Sequence, residues 1–246
     1  MYRYVFFDLD GTLTQSEFGI VEAASRALAH FGIETPNRDL LKRFIGPPLY
    51  VSFHEFYGLS DEDSFEAIRV YREYYESEGV YLAPLFAGVK DMLRTLKEAG
   101  CRMMIVTSKP QNMAEVVAKH EGVSEYFEGI VGPALEGRDP NKAVLIREAM
   151  RKLGIAEECA EETGAGDDSN AGADSSAGAG SDVRSDILMV GDRFYDIRAA
   201  VEVGIDSVGV LYGYGNETEL RDSGATYIVN TPAEVVSIAL GKDYGK

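Results

Sequence analysis

The sequence predicts an α/β protein in which a doubly wound parallel sheet carries a small inserted α-helical cap. Three observations predict it. Apolar, strand-like runs alternate with helix-period segments over most of the 246 residues, the pattern of a parallel sheet with covering helices. The first run, Tyr4-Val-Phe-Phe7, stops at two carboxylates, Asp8 and Asp10, with Gly11 and Thr12 just beyond. The alternation then lapses once, from about Glu17 to Ala83, where every periodicity is helical.

The elements follow in order. A first strand is expected at Tyr4–Asp8, because β-favouring residues fill it and a polar turn ends it. Helices are expected at Gly19–Phe31, Arg38–Ile45, Val51–Tyr57 and Asp61–Glu78. The chain leaves the main body near Thr14–Glu17 and returns near Pro84–Gly88, two close crossings that would serve as a hinge. Beyond them come a helix at Val89–Ala99, a strand at Cys101–Thr107, a helix at Gln111–His120 and a strand at Glu128–Gly132. A helix at Asn141–Leu153, a strand at Asp186–Val190 and a helix at Tyr195–Val203 follow. A strand at Ser207–Leu211, a short helix near Glu217, a strand at Thr226–Val229 and a helix at Pro232–Leu240 complete the chain. The implied division is a Rossmann-like core of residues 1–16 and 84–246 and a helical cap of residues 17–83. Residues 159–183 fit neither. They are mostly Gly, Ala, Ser and acids, cannot bury a core, and are expected to form a disordered acidic insertion loop.

The net charge is −17, which argues against a nucleic-acid partner, since that needs a basic face. Eight of the carboxylates, and no base, lie between Glu157 and Asp182. Without them 33 acids face 24 bases, a net of −9. An anionic substrate remains compatible, because a bound cation and a few bases reverse the field inside one cleft. No apolar run approaches a membrane span, and no basic segment followed by an apolar core opens the chain. Cys101 and Cys159 are too few for a disulfide framework. A cytoplasmic protein with no membrane partner is expected.

Four polar groups stand at predicted strand ends, where α/β sheets gather ligands. They are Asp8 with Asp10; Thr107 with Ser108-Lys109-Pro110; Lys142, after the Gly137-Arg-Asp-Pro-Asn loop; and Gly191-Asp192-Arg193-Phe194-Tyr195-Asp196. Each has a plainer explanation alone. Acids often close strands, Ser-Lys-Pro is ordinary turn chemistry, a helix-start lysine is usually solvated, and Asp196 could simply cap a helix. Together, in this order, they suit one reaction. Asp8 can attack phosphorus and carry the phosphoryl group. Asp10 can protonate the leaving oxygen and then deprotonate water. Asp8 and Asp192 offer hard oxygens to Mg²⁺. Thr107, the amides after it and Lys142 can meet the phosphoryl oxygens.

On these residues the chain resembles the haloacid dehalogenase superfamily of phosphotransferases, over essentially its whole length apart from the acidic loop. The resemblance implies Asp8 as nucleophile, and Asp10 as acid/base whose backbone carbonyl also binds the metal. It implies Asp192 as metal ligand, Asp196 as supporting acid, and Thr107, Ser108 and Lys142 as phosphate contacts. Phe44-Ile-Gly-Pro-Pro-Leu49, Thr107-Ser-Lys-Pro110 and Val210-Leu-Tyr-Gly-Tyr-Gly215 are similar to phosphoglycolate phosphatases and the related 5′-nucleotidase-like proteins. The expected activity is therefore Mg²⁺-dependent hydrolysis of a small phosphorylated metabolite, phosphoglycolate first and nucleoside monophosphates second. A sugar-phosphate mutase and a non-catalytic binding module are the further alternatives.

Other residues admit two readings. Arg43, just before the Gly46-Pro47-Pro48 turn, is a candidate cap contact to substrate or an exposed arginine. Lys109 is an entrance base or a helix-start residue, and Arg193 is expected to pair with nearby acids. Lys42, the only lysine between Gly11 and Ala83, is read as solvated. His30, His54 and His120 show no metal-ligand spacing. Tyr71, Tyr74, Tyr75 and Tyr81 are read as cap core. If they faced the cleft instead, the nucleotide alternative would gain.

Overall fold

The computed structural model describes residues 1–134, 141–155 and 183–242. Strands β1 (Tyr4–Phe7), β2 (Arg102–Val106), β3 (Gly129–Val131), β4 (Ile187–Gly191), β5 (Asp206–Val210) and β6 (Tyr227–Val229) form one sheet. All its pairings are parallel, in the order β3-β2-β1-β4-β5-β6. The central β1 is flanked on both sides, with Phe7 opposite Ile105 of β2 and Val190 of β4. The strand order reverses beside β1, so the crevice past its C-terminal end is where a ligand belongs.

Both faces of the sheet's centre are covered, which is why β1, β2 and β4 read as nearly unbroken apolar runs. Side chains alternate along β1. Val5 and Phe7 point to one face, with helices α4 (Val89–Glu98), α5 (Gln111–His120) and α9 (Pro232–Ala239). Tyr4 and Phe6 point to the other, with α6 (Lys142–Lys152) and α7 (Phe194–Val203). Helix α4 shows the cause clearly. Its buried residues Val89, Met92, Leu93 and Leu96 recur at helical spacing on one face. Each large apolar side chain fully removed from water contributes about 1.5–3 kcal/mol.

Between β1 and α4 lies a helical block of α1 (Glu17–His30), α2 (Leu49–Tyr57) and α3 (Asp61–Ser77). The segment expected to be an α-helix at Arg38–Ile45 is a 3₁₀ helix, Arg38–Phe44. Asn37 caps it by accepting a hydrogen bond from the Asp39 amide (3.1 Å), and only Leu41 and Phe44 are buried. An apolar i, i+3 pair fits the tighter helix as well as the α form. The two crossings into this block run side by side. The Gln15 amide donates to Pro84 O (2.7 Å) and the Phe86 amide to Leu13 O (3.0 Å), and Thr14 bridges Leu85 in antiparallel sense.

The expected acidic loop at 159–183 lies outside the described residues except for Val183, which opens a 3₁₀ turn, Val183–Asp186. The last helix before β6 in sequence is α8 (Glu217–Asp222). Among the described residues no helix is long and apolar enough to cross a membrane.

Candidate active site

Asp8 stands one residue beyond β1, its amide still donating to Val190 O (2.9 Å). The chain then reverses tightly, with Leu9 O accepting from the amides of Thr12, Leu13 and Thr14. Gly11 makes the reversal possible. Its φ is +89°, and a Cβ there would lie 2.3 Å from Asp192 Oδ2. Only glycine meets both demands.

Asp192 follows β4 and is fully buried. Its Oδ1 accepts from the Thr12 hydroxyl (3.3 Å) and its Oδ2 from the Tyr214 amide (2.8 Å). Asp196 lies in the first turn of α7, where its Oδ2 accepts from the Arg193 amide (3.1 Å) and fixes the helix start. Its other oxygen accepts from the Lys142 ammonium. Lys142 opens α6, behind Asn141, whose side chain accepts from the Ala143 amide (3.0 Å). That cap sends Lys142 inward, and its Nζ lies 2.7 Å from Asp8 Oδ1. Thr107 follows β2 and is buried, and its hydroxyl accepts from the Lys109 amide (3.2 Å). Ser108 is half-buried on the cleft wall. Residues distant in sequence thus meet at one sheet edge, because β1, β2 and β4 are neighbours.

Electrostatics in this corner are severe. Burial pushes the Asp8 carboxyl up to about 6; Lys142 opposes the shift and the charge of Asp196 adds to it. Burial, then Asp196 and Asp8, push Asp192 well above the ordinary carboxylate range. Burial alone would lower Lys142, but Asp196 and Asp8 outweigh it and hold the ammonium above its usual value. One lysine therefore serves a group of buried carboxylates.

Asp8, Asp192 and Asp196 bring oxygens within 4.8 Å of one another. Asp8 Oδ1 lies 2.7 Å from Lys142 Nζ and has no further partner, so this buried carboxylate oxygen keeps an unused lone pair. An all-oxygen, net-negative donor set of this kind fits a hard divalent cation. Asp10 is not in that group. Its side chain turns to Lys109, whose Nζ donates to both oxygens (2.8 and 2.7 Å).

A cleft of about 850 Å³ opens from Asp8 and Asp10 toward the helical block. Its inner wall includes Thr107 and Ser108; its outer wall includes Tyr50, Phe65, Tyr71 and Tyr75. The four tyrosines singled out by spacing divide. Tyr71 and Tyr75, a helical turn apart on α3, stack at 5.3 Å and line the cleft. Tyr74 lies under Arg26, and Tyr81 packs edge-on to His120 outside it. The Gly46-Pro47-Pro48 turn also lines the cleft.

Of the two readings of Arg43, the structure matches the exposed arginine rather than the cap contact. It is exposed, and its guanidinium sits 4.2 Å from the Phe56 ring centroid. The buried side of its 3₁₀ helix is Leu41 and Phe44, so residue 43 faces away. Arg69 and Arg72 of α3 line the cleft instead. Lys42 pairs with Glu17 (3.0 Å) and Asp39 (3.1 Å). Arg193 donates to Glu219 (2.8 Å) and also reaches across to Ile45 O (2.9 Å).

Two features escaped the sequence reading. Lys109 is buried rather than at an entrance. The Tyr212–Gly215 segment braces the site: Tyr212 donates to Thr12 O (3.1 Å), and Tyr214 accepts from the Glu17 amide (3.1 Å). A Cβ at Gly213 would lie 2.3 Å from Gly11 O and 2.4 Å from Asp192 Cβ. The paired glycines of Gly213-Tyr-Gly215 were the available signal.

A parallel α/β sheet with a helical insert and a carboxylate-rich edge is the class these features define. The profile of the haloacid dehalogenase-like hydrolase family matches residues 5–184, and the chain belongs to that family. A 5′-nucleotidase from Pseudomonas aeruginosa is 34% identical over 226 residues, 92% of this chain and 90% of the relative. A phosphoglycolate phosphatase from Vibrio vulnificus is 27% identical over 247 residues, 97% of this chain and 96% of the relative. The crystal structure of a predicted phosphatase from Clostridium acetobutylicum superposes with a TM-score of 0.84 at 34% identity, covering 98% of this chain and 99% of that one. The protein is an enzyme of the phosphatase class, and phosphatases of this family generally use a divalent metal.

Proposed function

We propose that the protein is a Mg²⁺-dependent phosphomonoesterase in which residues 17–83 act as a cap over the sheet edge, and that its substrates are nucleoside 5′-monophosphates. The cleft carries the substrate reading. At about 850 Å³ it has room for a nucleoside as well as its phosphate, whereas phosphoglycolate would occupy a small part of it, and a nucleoside can stack on aromatic walls. Tyr50 and the exposed Phe65 line that cleft, and Tyr71 and Tyr75, each 5% exposed and part of the buried core, back it. The hydroxyl of Tyr75 is buried without a hydrogen-bond partner, a polar group that a ligand can satisfy. Asp61, Glu73 and Glu76 also line it, and Arg69 is committed to Glu66 and Glu73. With Arg72 the wall holds two bases against these three acids, so a second anionic group such as the glycolate carboxylate gains little there.

Asp8 and Asp192, with the Asp10 backbone carbonyl, would hold the cation, since the Asp196 oxygens already serve Lys142 and the Arg193 amide. When bound, the cation neutralises the carboxylates and polarises the phosphoryl group. An Asp8 oxygen attacks phosphorus as the ester P–O bond breaks, and Asp10 gives its proton to the departing oxygen. Water then attacks the aspartyl-phosphate, Asp10 takes the water proton, and phosphate leaves with Asp8 restored. Thr107, Ser108 and Lys142 meet the phosphoryl oxygens.

The test is a substrate panel with Mg²⁺, comparing kcat/KM for AMP, GMP and UMP with that for phosphoglycolate. The mononucleotides should exceed phosphoglycolate by about tenfold or more, the scale of one or two good stacking contacts. Phosphoglycolate leading the panel would overturn the substrate reading, and isomerisation without phosphate release would identify a mutase.

A further inference from the structure

We propose that Lys109 is the positioning residue of Asp10, and that α3 holds Lys109 in place through Tyr75. The inference rests on the phosphomonoesterase reading and goes beyond it, because the phosphoryl group already has its own lysine in Lys142.

The Lys109 ammonium is 5% exposed and the Asp10 carboxylate 11%. Both carboxylate oxygens accept from it, at 2.8 and 2.7 Å, which uses two of its three N–H bonds. On its other side the ammonium lies 4.8 Å from the centroid of the Tyr75 ring, within cation–π range. Tyr75 is in turn stacked on Tyr71. The lysine thus spans the gap between the sheet edge and the helical insert. Its own backbone is set by the turn after β2, where its amide donates to the Thr107 hydroxyl.

This arrangement fixes the direction from which Asp10 can approach the leaving oxygen. Gripped at both oxygens, the carboxylate reaches a substrate only by releasing one contact with Lys109, and the freed oxygen takes up a proton from solvent before turning it toward the ester oxygen. A shift of α3 moves Tyr75 and loosens that grip. The proton lost to the departing alcohol comes from Asp10, and the one regained comes from the attacking water.

The test uses phenyl phosphate and p-nitrophenyl phosphate, which share a ring and differ in leaving-group acidity, so it does not depend on the natural substrate. The good leaving group needs little help from an acid; the poor one needs much. Lys109→Met should lower kcat/KM for phenyl phosphate by about 100-fold and for p-nitrophenyl phosphate by less than about tenfold. Lys109→Gln, which keeps a donor toward Asp10, should show the same bias with a smaller loss, and serves if the Met variant does not fold. Tyr75→Leu should bias the pair in the same direction by about threefold. In an Asp10→Asn background, Lys109→Met should cost nothing further. Equal losses on both esters, no loss, or additive losses in the Asp10→Asn background would overturn the proposal alone. A wild-type enzyme that hydrolyses neither ester would overturn the phosphomonoesterase reading with it.

Discussion

Replacing Lys142 by alanine tests how the site pays for its charges. The ammonium is 6% exposed and sits between Asp8 (2.7 Å, 5% exposed) and Asp196 (1% exposed), with the fully buried Asp192 alongside. Truncation leaves buried carboxylates without their counter-charge. Breaking a buried pair in this way costs about 3–5 kcal/mol. For a chain of this size each kcal/mol moves Tm by about 2–4 °C, so the variant should melt roughly 6–20 °C below wild type in EDTA. The sign of the pH dependence follows from Asp8, already raised to about 6 with Lys142 present. Losing the ammonium raises it further. A carboxyl whose pKa is higher in the folded than in the unfolded state costs nothing at low pH, and its cost grows as pH rises through the folded value. The deficit relative to wild type should therefore be larger at about pH 8 than at about pH 5. A divalent cation should restore part of it by neutralising the same oxygens. Differential scanning fluorimetry of both proteins, with EDTA and with Mg²⁺, reads all of this. A variant that melts with wild type in EDTA at the higher pH, or whose deficit grows on acidification, would refute the reasoning.

The remaining expectations concern the same corner. Asp8→Asn should reduce phosphate release to background while leaving the circular dichroism spectrum intact and Tm equal or higher, because a neutral amide is cheaper to bury than a carboxylate; residual turnover would remove Asp8 from its role. Gly213→Ala forces a methyl against Gly11 O and Asp192 Cβ and should cost about 1–3 kcal/mol of stability, seen in a urea titration together with a weaker Mg²⁺ response. Saturating Mg²⁺ should raise the wild-type Tm, since a ligand at 100 times its Kd adds about 2.7 kcal/mol. Asp192→Asn should abolish that rise, and an undiminished rise would place the cation elsewhere.

Much of the fold was legible because its signals are local. The central strands β1, β2 and β4 are covered on both faces, so each appears as an apolar run ended by a turn, as at Ile187–Gly191 before Asp192. The site's sheet-edge residues were legible because topology alone brings strand ends together. What local text could not supply was which wall a side chain faces. The spacing of Tyr71 and Tyr75 put both on one face of α3, but only the docking of α3 over the sheet edge turns that face to the cleft. The choice between the two readings of Arg43 needed the 3₁₀ helix, which buries Leu41 and Phe44 and points residue 43 outward. Lys109 read as turn chemistry, since its burial comes from Asp10 and Tyr75, distant in sequence and on opposite sides of the cleft. Gly213 carried its message in what it lacks, a Cβ, and that is visible only once Asp192 stands beside it.

The helical insert shares its apolar interior with the sheet. Ile20, Phe53 and Tyr71 belong to the same continuous buried cluster as Val5, Phe7 and Leu93. An insert built this way has no oil drop of its own to retreat into. Heating should therefore melt the whole molecule in one event, with calorimetric and van't Hoff enthalpies in agreement, and excising the insert should leave neither piece folded.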